Sequence, residues 1–181
     1  MIVAAHRLFQ RQGYERTGFS EVLAESRAPR GAIYHHFPGG KEELAVAVIR
    51  RSADDIASRV NAAASASKPS LALRRYVEET IENLEHTGYE AGCPLAPMVL
   101  EASGWSPAIR DATHQAFEGW TTLVSAGLRR SGVSAARARR LASVVIAAIE
   151  GAMILARATE NPAPLRAIIA ELGPMLDAAV A

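Results

Sequence analysis

The stretch SEVLAESRAPRGAIYHHFPGGK, residues 20–41, decides how the rest of the chain is interpreted. Apolar residues recur at helical spacing near its start, which predicts a short amphipathic helix over residues 20–26. A break follows, and Pro29 suits the first turn of a second helix because no partner is needed there for a backbone N–H. That helix is expected to end at His36, since the Pro-Gly-Gly sequence at 38–40 breaks helices.

Two short helices joined by a tight turn predict a helix-turn-helix, whose second helix enters the major groove of DNA. The second helix carries little apolar surface, and Ile33 and Phe37 are expected to anchor one face of it. Arg30, Tyr34 and His35 are then left to face outward. The competing interpretation is a helical hairpin whose polar face is merely solvated, and the local pattern alone favours neither.

An earlier helix over residues 2–12, stopped by Gly13, supplies the third side of a three-helix head. A long helix is expected over 42–64 and would link this head to the rest of the chain. We therefore predict a helix-turn-helix DNA-binding domain over residues 1–45 and a second domain over residues 46–181.

The second domain also reads as helical throughout, with proline and serine caps but with no strand pattern or repeat. Further helices are expected at about residues 71–87, 94–102, 107–130 and 135–159, and from 164 onward.

Charge is distributed unevenly along the 181 residues, although the formal net charge is only +1. Residues 1–41 contain six basic and three acidic residues, whereas the remainder contains fourteen basic and sixteen acidic residues. This mild asymmetry is typical of a DNA-contacting head on a neutral body.

The expected compartment is the cytoplasm. The chain opens on MIVAAHR, which is not a signal peptide, and Cys93 alone forms no intramolecular disulfide or Cys-rich zinc site. The longest apolar run, residues 141–156, falls short of the roughly 20 residues of a membrane span, so no membrane partner is expected.

Residues 13–44, GYERTGFSEVLAESRAPRGAIYHHFPGGKEEL, resemble the DNA-binding domain of the tetracycline-repressor (TetR) family of one-component regulators. The matching landmarks are Gly13-Tyr14, Thr17, Gly31, the run Tyr34-His35-His36-Phe37, and Lys41-Glu42. This string is far more specific than a two-helix pattern, and it favours the DNA-binding interpretation.

The resemblance implies roles for matching positions of this chain. Thr17, Tyr34 and Lys41 are expected to contact phosphates, which positions the protein without reading sequence. Arg30 is expected to face base edges, where arginine and guanine form the commonest specific pair. The expected DNA-binding residues are Thr17, Pro29, Arg30, Gly31, Ala32, Tyr34, His35 and Lys41. Pro29 and Ala32 stand where many members have Ser or Thr, so two hydroxyl donors are absent.

The second half resembles the branch of the family typified by lincomycin-resistance and flavonoid-responsive repressors. The matching stretches are GCPLAPMVLEAS at 92–103, the segment at 117–120, IAAIEGAMILAR at 146–157, Pro164-Leu165 and the extra glycine of Pro38-Gly39-Gly40-Lys41. The branch implies a repressor of efflux or detoxification genes that an aromatic or drug-like small molecule releases from its operator.

A ligand cavity is expected among the helices of the second domain, because aromatic walls with a few polar groups suit a planar organic molecule. The candidate lining residues are Tyr76, Cys93, Met98, Trp105, His114, Phe117, Trp120, Glu150 and Met153. Each of them also suits an ordinary core position. Glu150 has a second interpretation, an interface ion pair with a residue such as Arg157.

The run at 141–156 is apolar nearly all round, which indicates burial on more than one side. A peripheral helix has its own core on one side only, so the other side is expected to meet a second subunit. With the final helix, it would form a four-helix interface in a homodimer. The alternative is a central core helix in a monomer.

No catalytic constellation competes with DNA binding. Cys93 has no histidine at helical spacing, and Asp111 with His114 is one isolated i, i+3 pair. We therefore expect no enzyme activity, metal or cofactor. A helical-bundle interaction or small-molecule-binding module without DNA binding is the alternative, and it leaves Arg30, Tyr34 and His35 without a role.

The sequence as a whole predicts an all-α protein with an N-terminal helix-turn-helix DNA-binding domain and a C-terminal helical domain for ligand binding and dimerisation. The expected partners are a palindromic double-stranded DNA operator, a small-molecule effector and a second copy of the chain.

Overall fold

The computed structural model describes residues 1–29 and 31–180, and over these residues it contains nine α-helices and no strand. The prediction of an all-α fold is confirmed. The helices are α1 (Ile2–Gln12), α2 (Phe19–Ser26), α3 (Ala32–His36), α4 (Gly40–Ala63), α5 (Pro69–His86), α6 (Ala96–Glu101), α7 (Pro107–Arg130), α8 (Ala135–Thr159) and α9 (Ala163–Asp177).

Helices α2 and α3 form the expected helix-turn-helix, but α3 is shorter than predicted. It begins at Ala32 rather than at Pro29 and is five residues long. The N–H of Ala32 donates to the carbonyl oxygen of Pro29 at 2.9 Å, an i to i−3 bond that closes a turn. Pro29 therefore belongs to the turn that leads into α3.

The helices group into two compact units. The first, here called the head unit, comprises Met1–Asp54 and Cys93–Phe117, and the second, the body unit, comprises residues 55–92 and 118–180. Helices α4 and α7 contribute residues to both units. The head unit thus includes α6 and the start of α7 in addition to the three helices of the predicted DNA-binding domain.

The helices of the head unit share a core of fully buried side chains. Phe9 of α1, Val22 of α2 and Ile33 of α3 are at most 1% exposed. Leu44 of α4 and Met98 of α6 are completely buried as well. Burying a side chain of this size contributes about 1.5–3 kcal/mol, so α3 is held in place mainly through Ile33.

A carboxylate of α6 holds the turn that follows α1. Gly13 has a φ of 89°, and a Cβ added there would lie 2.5 Å from Oε1 of Glu101. Oε2 of the same carboxylate accepts a hydrogen bond from the N–H of Glu15 at 2.7 Å. Gly13 therefore both turns the chain and leaves the space that Glu101 occupies.

In the body unit, α5 and α8 both pack against α9. One face of α5 is buried through Leu73, Val77, Ile81 and Leu84. The carboxylate of Asp177 accepts hydrogen bonds from the N–H of Ser70 at 3.0 Å and from its hydroxyl at 2.6 Å. These two bonds lower the pKa of Asp177 and tie the end of α9 to the first turn of α5.

Helix α8 is 25 residues long, has the bounds expected from the sequence and contains the apolar run at 141–156. By length and composition alone it passes the test for a membrane span, with a mean hydropathy of 1.8 in its most apolar window. One such helix is weak evidence for a membrane span, because core helices of soluble proteins have the same length and composition. Only 33% of the window is buried inside the chain, so much of its apolar surface is not covered by the chain itself.

Replacing Glu101 by alanine should destabilise the protein by about 1–3 kcal/mol, because the N–H of Glu15 loses its charged acceptor. Urea unfolding followed by circular dichroism measures the change. Glu82→Ala on the exposed face of α5 is the matched control and should leave the unfolding midpoint unchanged. Equal midpoints for Glu101→Ala and the parent protein would contradict the role given to this carboxylate.

Ser70→Ala should lower the free energy of unfolding at pH 7 by about 1 kcal/mol, because Asp177 loses one of its two donors. The folded state depresses the pKa of Asp177 below its ordinary value of 3.8, so the stabilisation is present above that pH and is lost as pH falls through the folded pKa. The difference between parent and variant should therefore shrink below about pH 3.8. Ser65→Ala is the control: this hydroxyl donates to the carbonyl oxygen of Ala62 and accepts from the guanidinium of Arg75. No carboxylate is involved, so the effect of Ser65→Ala should not depend on pH in this range.

Candidate functional site

Helix α3 presents a polar face above a buried anchor. Ile33 is fully buried, whereas Tyr34 is 66% exposed and both His35 and His36 are exposed. The ring of Tyr34 meets the ring of Phe19 edge to face, with centroids 5.8 Å apart and an interplanar angle of 88°. Helix α2 thus orients Tyr34 and still leaves most of the ring open to an approaching molecule.

The turn before α3 is open on its outer side. Pro29 and Gly31 are exposed, and Ala32 is half-buried. Apart from Gly31 and its chain neighbours, no atom of the described residues lies within 4 Å of a Cβ added at Gly31, which leaves room for a ligand near the backbone. Arg30 lies outside the described residues, and its contact with base edges stays a prediction.

Thr17 is used inside the protein. Its side chain is 1% exposed, and its hydroxyl donates to the carbonyl oxygen of Gly13 at 2.8 Å. Gln12 donates to that hydroxyl at 3.4 Å and to the carboxylate of Glu21 at 3.2 Å. Glu21 also accepts a bond from the N–H of Gly18, and this bond, followed by that from Gln12, lowers the pKa of Glu21. The group fixes the start of α2, and the phosphate contact of Thr17 stays a prediction.

Lys41 is positioned by the head unit. Its Nζ donates to the carbonyl oxygen of Glu15 at 3.1 Å and lies 4.4 Å from the ring centroid of Tyr14. Burial lowers the pKa of Lys41, and burial followed by the charges of Glu15 and Glu42 raises the pKa of Tyr14 to about 12. An ammonium group has three donors, so Lys41 retains donors for a phosphate.

Five of the nine predicted ligand residues belong to the head unit: Cys93, Met98, Trp105, His114 and Phe117. Cys93 and Met98 are buried, whereas His114 is exposed. Trp105 is 58% exposed, with its ring 6.1 Å from that of Tyr14 and its Nε1 bonded to the carbonyl oxygen of Glu101 at 2.9 Å. Its contacts are therefore with the end of α6 and with the turn after α1.

The body unit contains a cavity of about 110 Å³ between α4, α5, α7, α8 and α9. Three of the predicted ligand residues line it: Tyr76, Trp120 and Glu150. Met153 does not line it and instead packs against the body core. The remaining walls are mostly apolar and include Ile56, Val60, Ala63, Ala72, Leu73, Val124, Gly127, Leu128, Val145, Ile146, Ile149 and Leu176.

The cavity exists because several of its wall residues are small. Ala63, Ala72 and Gly127 come from three different helices and leave space that larger side chains would fill. Alanine and glycine carry no aromatic or polar group, so these three residues were not predicted from the sequence to line a ligand cavity. What indicates the cavity is that these small residues face the same space from neighbouring helices. This arrangement can be recognised only once the three-dimensional packing of the helices is known.

Tyr76 is held in the cavity wall by an arginine. The guanidinium of Arg59 lies 4.8 Å from the ring centroid of Tyr76, an arrangement that favours cation–π attraction. Arg59 is itself bound to the carboxylate of Glu79 at 2.7 Å and to the hydroxyl of Thr80 at 3.0 Å. The aromatic wall is therefore rigid on this side.

Among the described residues, no group of three or more His, Cys, Asp or Glu side chains is placed to hold a metal ion. The structure thus brings together two features: the exposed face of α3 with the turn before it, and an apolar cavity with two aromatic rings and one carboxylate. The first suits a groove of DNA and the second suits a small organic molecule.

Comparison with known proteins identifies a family for both parts of the chain. Residues 1–48 match the family model described as bacterial regulatory proteins, tetR family, and residues 69–171 match that of the C-terminal domain of LmrA/YxaF-like transcriptional regulators. The chain is 34% identical to the HTH-type transcriptional regulator LmrA of Bacillus subtilis, over 91% of this chain and 88% of that protein. It is 30% identical to the uncharacterised HTH-type regulator YxaF of the same organism, over 95% and 90% of the two chains.

The fold is shared with solved structures as well. The crystal structure of a TetR regulatory protein from Rhodobacter sphaeroides superposes with a TM-score of 0.86 at 24% identity, covering 96% of this chain and 95% of that one. The prediction that the chain is a DNA-binding regulator and not an enzyme is confirmed, because the matched families consist of transcriptional regulators. This chain belongs to the TetR family of bacterial transcriptional regulators, with a C-terminal domain of the LmrA/YxaF-like type.

Proposed function

We propose that this regulator is a ligand-responsive repressor that binds a palindromic operator as a homodimer and leaves it when a small aromatic molecule enters the body-unit cavity. The observation that carries the proposal is the occurrence, in one chain, of an exposed recognition helix and an apolar cavity lined by Tyr76, Trp120 and Glu150. Such a protein acts in the cytoplasm, where it meets both DNA and the effector.

The DNA-binding half of the proposal rests on α3 and its surroundings. Tyr34 and His35 are exposed on one short helix. Lys41 follows this helix by five residues and uses one of its ammonium donors in the bond to Glu15, which leaves others for a phosphate. Tyr34 and Lys41 would position the head on phosphates, whereas Arg30 would read base edges. Pro29, Gly31 and Ala32 would permit close approach of the turn to the groove.

The dimer half of the proposal rests on the outer face of α8. Val144, Ile154 and Leu155 are 48%, 59% and 57% exposed in the single chain. Gly151 is also exposed, with open space where a Cβ would be, so another helix can approach closely there. Large apolar side chains gathered on one helix face mark an association surface. A second copy of α8 and α9 would cover them and place two α3 helices on one duplex.

The cavity volume supports a release mechanism. An engineered cavity of about 150 Å³ binds benzene, and the cavity here is about 110 Å³. A drug-like effector with two or more rings would therefore extend out of the cavity or displace its walls, and we infer that it displaces them. A ligand shifts an equilibrium only by its differential affinity for two states, and a ligand that needs an expanded cavity has such a difference.

Helix α4 is the element through which expansion would reach the DNA. It lines the cavity through Ile56, Val60 and Ala63, and its first residues follow α3 after a short turn. Displacement of α4 in each subunit would change the separation of the two recognition helices. Half-sites on DNA are spaced by one turn, roughly 34–36 Å, or multiples of it, so a changed separation abolishes simultaneous binding.

The function is tested by selecting DNA ligands for the purified protein from a random duplex pool and then screening aromatic drugs and phenolic compounds for release. We expect a palindromic consensus and at least one compound that lowers affinity about 5–150-fold, the usual range of coupling between two sites. Ala72→Phe fills the cavity and should bind DNA normally but lose the ligand response. Leu71→Phe, an exposed neighbour on α5, is the matched control and should retain it. A consensus without symmetry would refute the dimeric operator, and identical release of the two variants would refute the cavity.

Leu155→Glu should convert the dimer to a monomer, because the carboxylate would be buried without a partner in the interface. Sedimentation velocity measures the change, and DNA affinity should fall with it. Leu100→Glu changes a leucine that is 80% exposed on α6 of the head unit, and it should remain dimeric. A Leu155→Glu protein that sediments like its parent would place the subunit contact elsewhere.

A further inference from the structure

Arg27 adopts an unusual backbone conformation in the turn between α2 and α3. Its φ and ψ are 53° and 30°, in the left-handed region that residues other than glycine rarely occupy. Its N–H donates to the carbonyl oxygen of Ala24 at 3.2 Å, and the N–H of Ala28 donates to that of Leu23 at 3.1 Å. These bonds close the end of α2, so the turn itself requires the left-handed conformation.

The side chain of Arg27 has no role in holding this turn. It is exposed, and among the described residues its guanidinium makes no hydrogen bond and no ion pair. Glycine would adopt the same conformation without strain. Packing and local geometry therefore do not explain why an arginine stands at this position.

Its place in the helix-turn-helix does explain it. Arg27 lies between the two helices, five residues before α3 begins at Ala32. The N-terminal end of a recognition helix is the part that reaches the base edges, so the preceding turn comes close to the groove wall, which consists of phosphates. A guanidinium binds phosphate through two parallel hydrogen bonds.

We propose that Arg27 binds a phosphate of the DNA backbone, so that the turn itself contributes to DNA affinity through a residue kept at the expense of backbone strain. This inference rests on DNA binding by the head unit. It predicts that charge at this position is needed for affinity but carries no base preference, because phosphate contacts position the protein and do not read sequence.

Within the described part of the chain, two further non-glycine residues have positive φ, namely Tyr89 at 60° and Glu160 at 47°. Tyr89 has a structural reason, since its carbonyl oxygen accepts a bond from Nε of Arg157 at 3.1 Å and its side chain packs on the body core. Glu160 is an exposed residue that ends α8 in the body unit. Strain alone therefore does not mark a DNA contact, and Glu160 provides a matched control.

The test compares Arg27→Gln, Arg27→Lys, Arg27→Gly and Glu160→Gly, with fluorescence anisotropy on a selected operator and on random-sequence duplex DNA. Each phosphate contact adds about 0.9 to the slope of log affinity against log salt. The fall in affinity between about 50 and 200 mM salt should therefore be about 3.5-fold smaller per bound subunit in Arg27→Gln and Arg27→Gly than in the parent. Arg27→Lys should keep most of the salt dependence. The loss of affinity in Arg27→Gln and Arg27→Gly should be equal on the selected operator and on random-sequence DNA.

The two glycine variants separate strain from binding. Arg27→Gly and Glu160→Gly should both raise the melting temperature, since each removes the strain of a non-glycine residue in the left-handed conformation. Only Arg27→Gly should bind DNA more weakly. Parental affinity and salt slope in both Arg27→Gln and Arg27→Gly would overturn the inference. So would a loss confined to the selected operator, because that outcome indicates base reading. If the parent protein itself binds neither DNA at low salt, it is the proposed function that fails.

Discussion

The candidate DNA-binding surface depends on the burial of Ile33 beneath a helix too short to exist alone. Helix α3 has five residues, and a helix of this length has no stability of its own in water, because nucleation fixes several residues for one hydrogen bond. The exposed positions of Tyr34 and His35 therefore follow from the core of the head unit. Since Met98 and Glu101 of α6 belong to that unit, α6 is part of the structure that supports DNA binding.

The same dependence suggests how ligand binding would change DNA binding. A short helix such as α3, which is held only by packing, moves with the residues that it packs on. Helix α4 supplies the buried Leu44 of the head unit and also three residues of the cavity wall. A cavity smaller than its ligand converts binding free energy into displacement of its walls, because well-packed interiors do not compress. Site-to-site couplings are typically about 1–3 kcal/mol, which is comparable to burying one further aliphatic side chain. A modest enlargement of the cavity would thus supply enough free energy for a coupling of this size.

Most of the helices could be predicted from the sequence to within two residues, because prolines, serines and glycines mark their ends. The exception was the start of α3, where Pro29 suits both the first turn of a helix and the turn before one. The exposure of Tyr34 and His35 followed from local periodicity. The cavity could be predicted only in part, because its space depends on Ala63, Ala72 and Gly127, and alanine or glycine in a helix equally indicates close packing. The bond between Glu101 and Glu15 joins residues distant in the chain, so no local pattern reveals it.

A regulator that must leave DNA in response to a ligand is constrained in how many phosphates it neutralises. Each contact strengthens binding to every sequence equally, whereas the ligand supplies only a coupling of about 1–3 kcal/mol. The chain has a formal net charge of +1, with six basic residues against three acidic ones in its first 41 residues. Lys41 is further restrained by its bond to Glu15 and by the Tyr14 ring. A small number of cations beside a short recognition helix would keep non-specific affinity low enough for the proposed effector to release the protein.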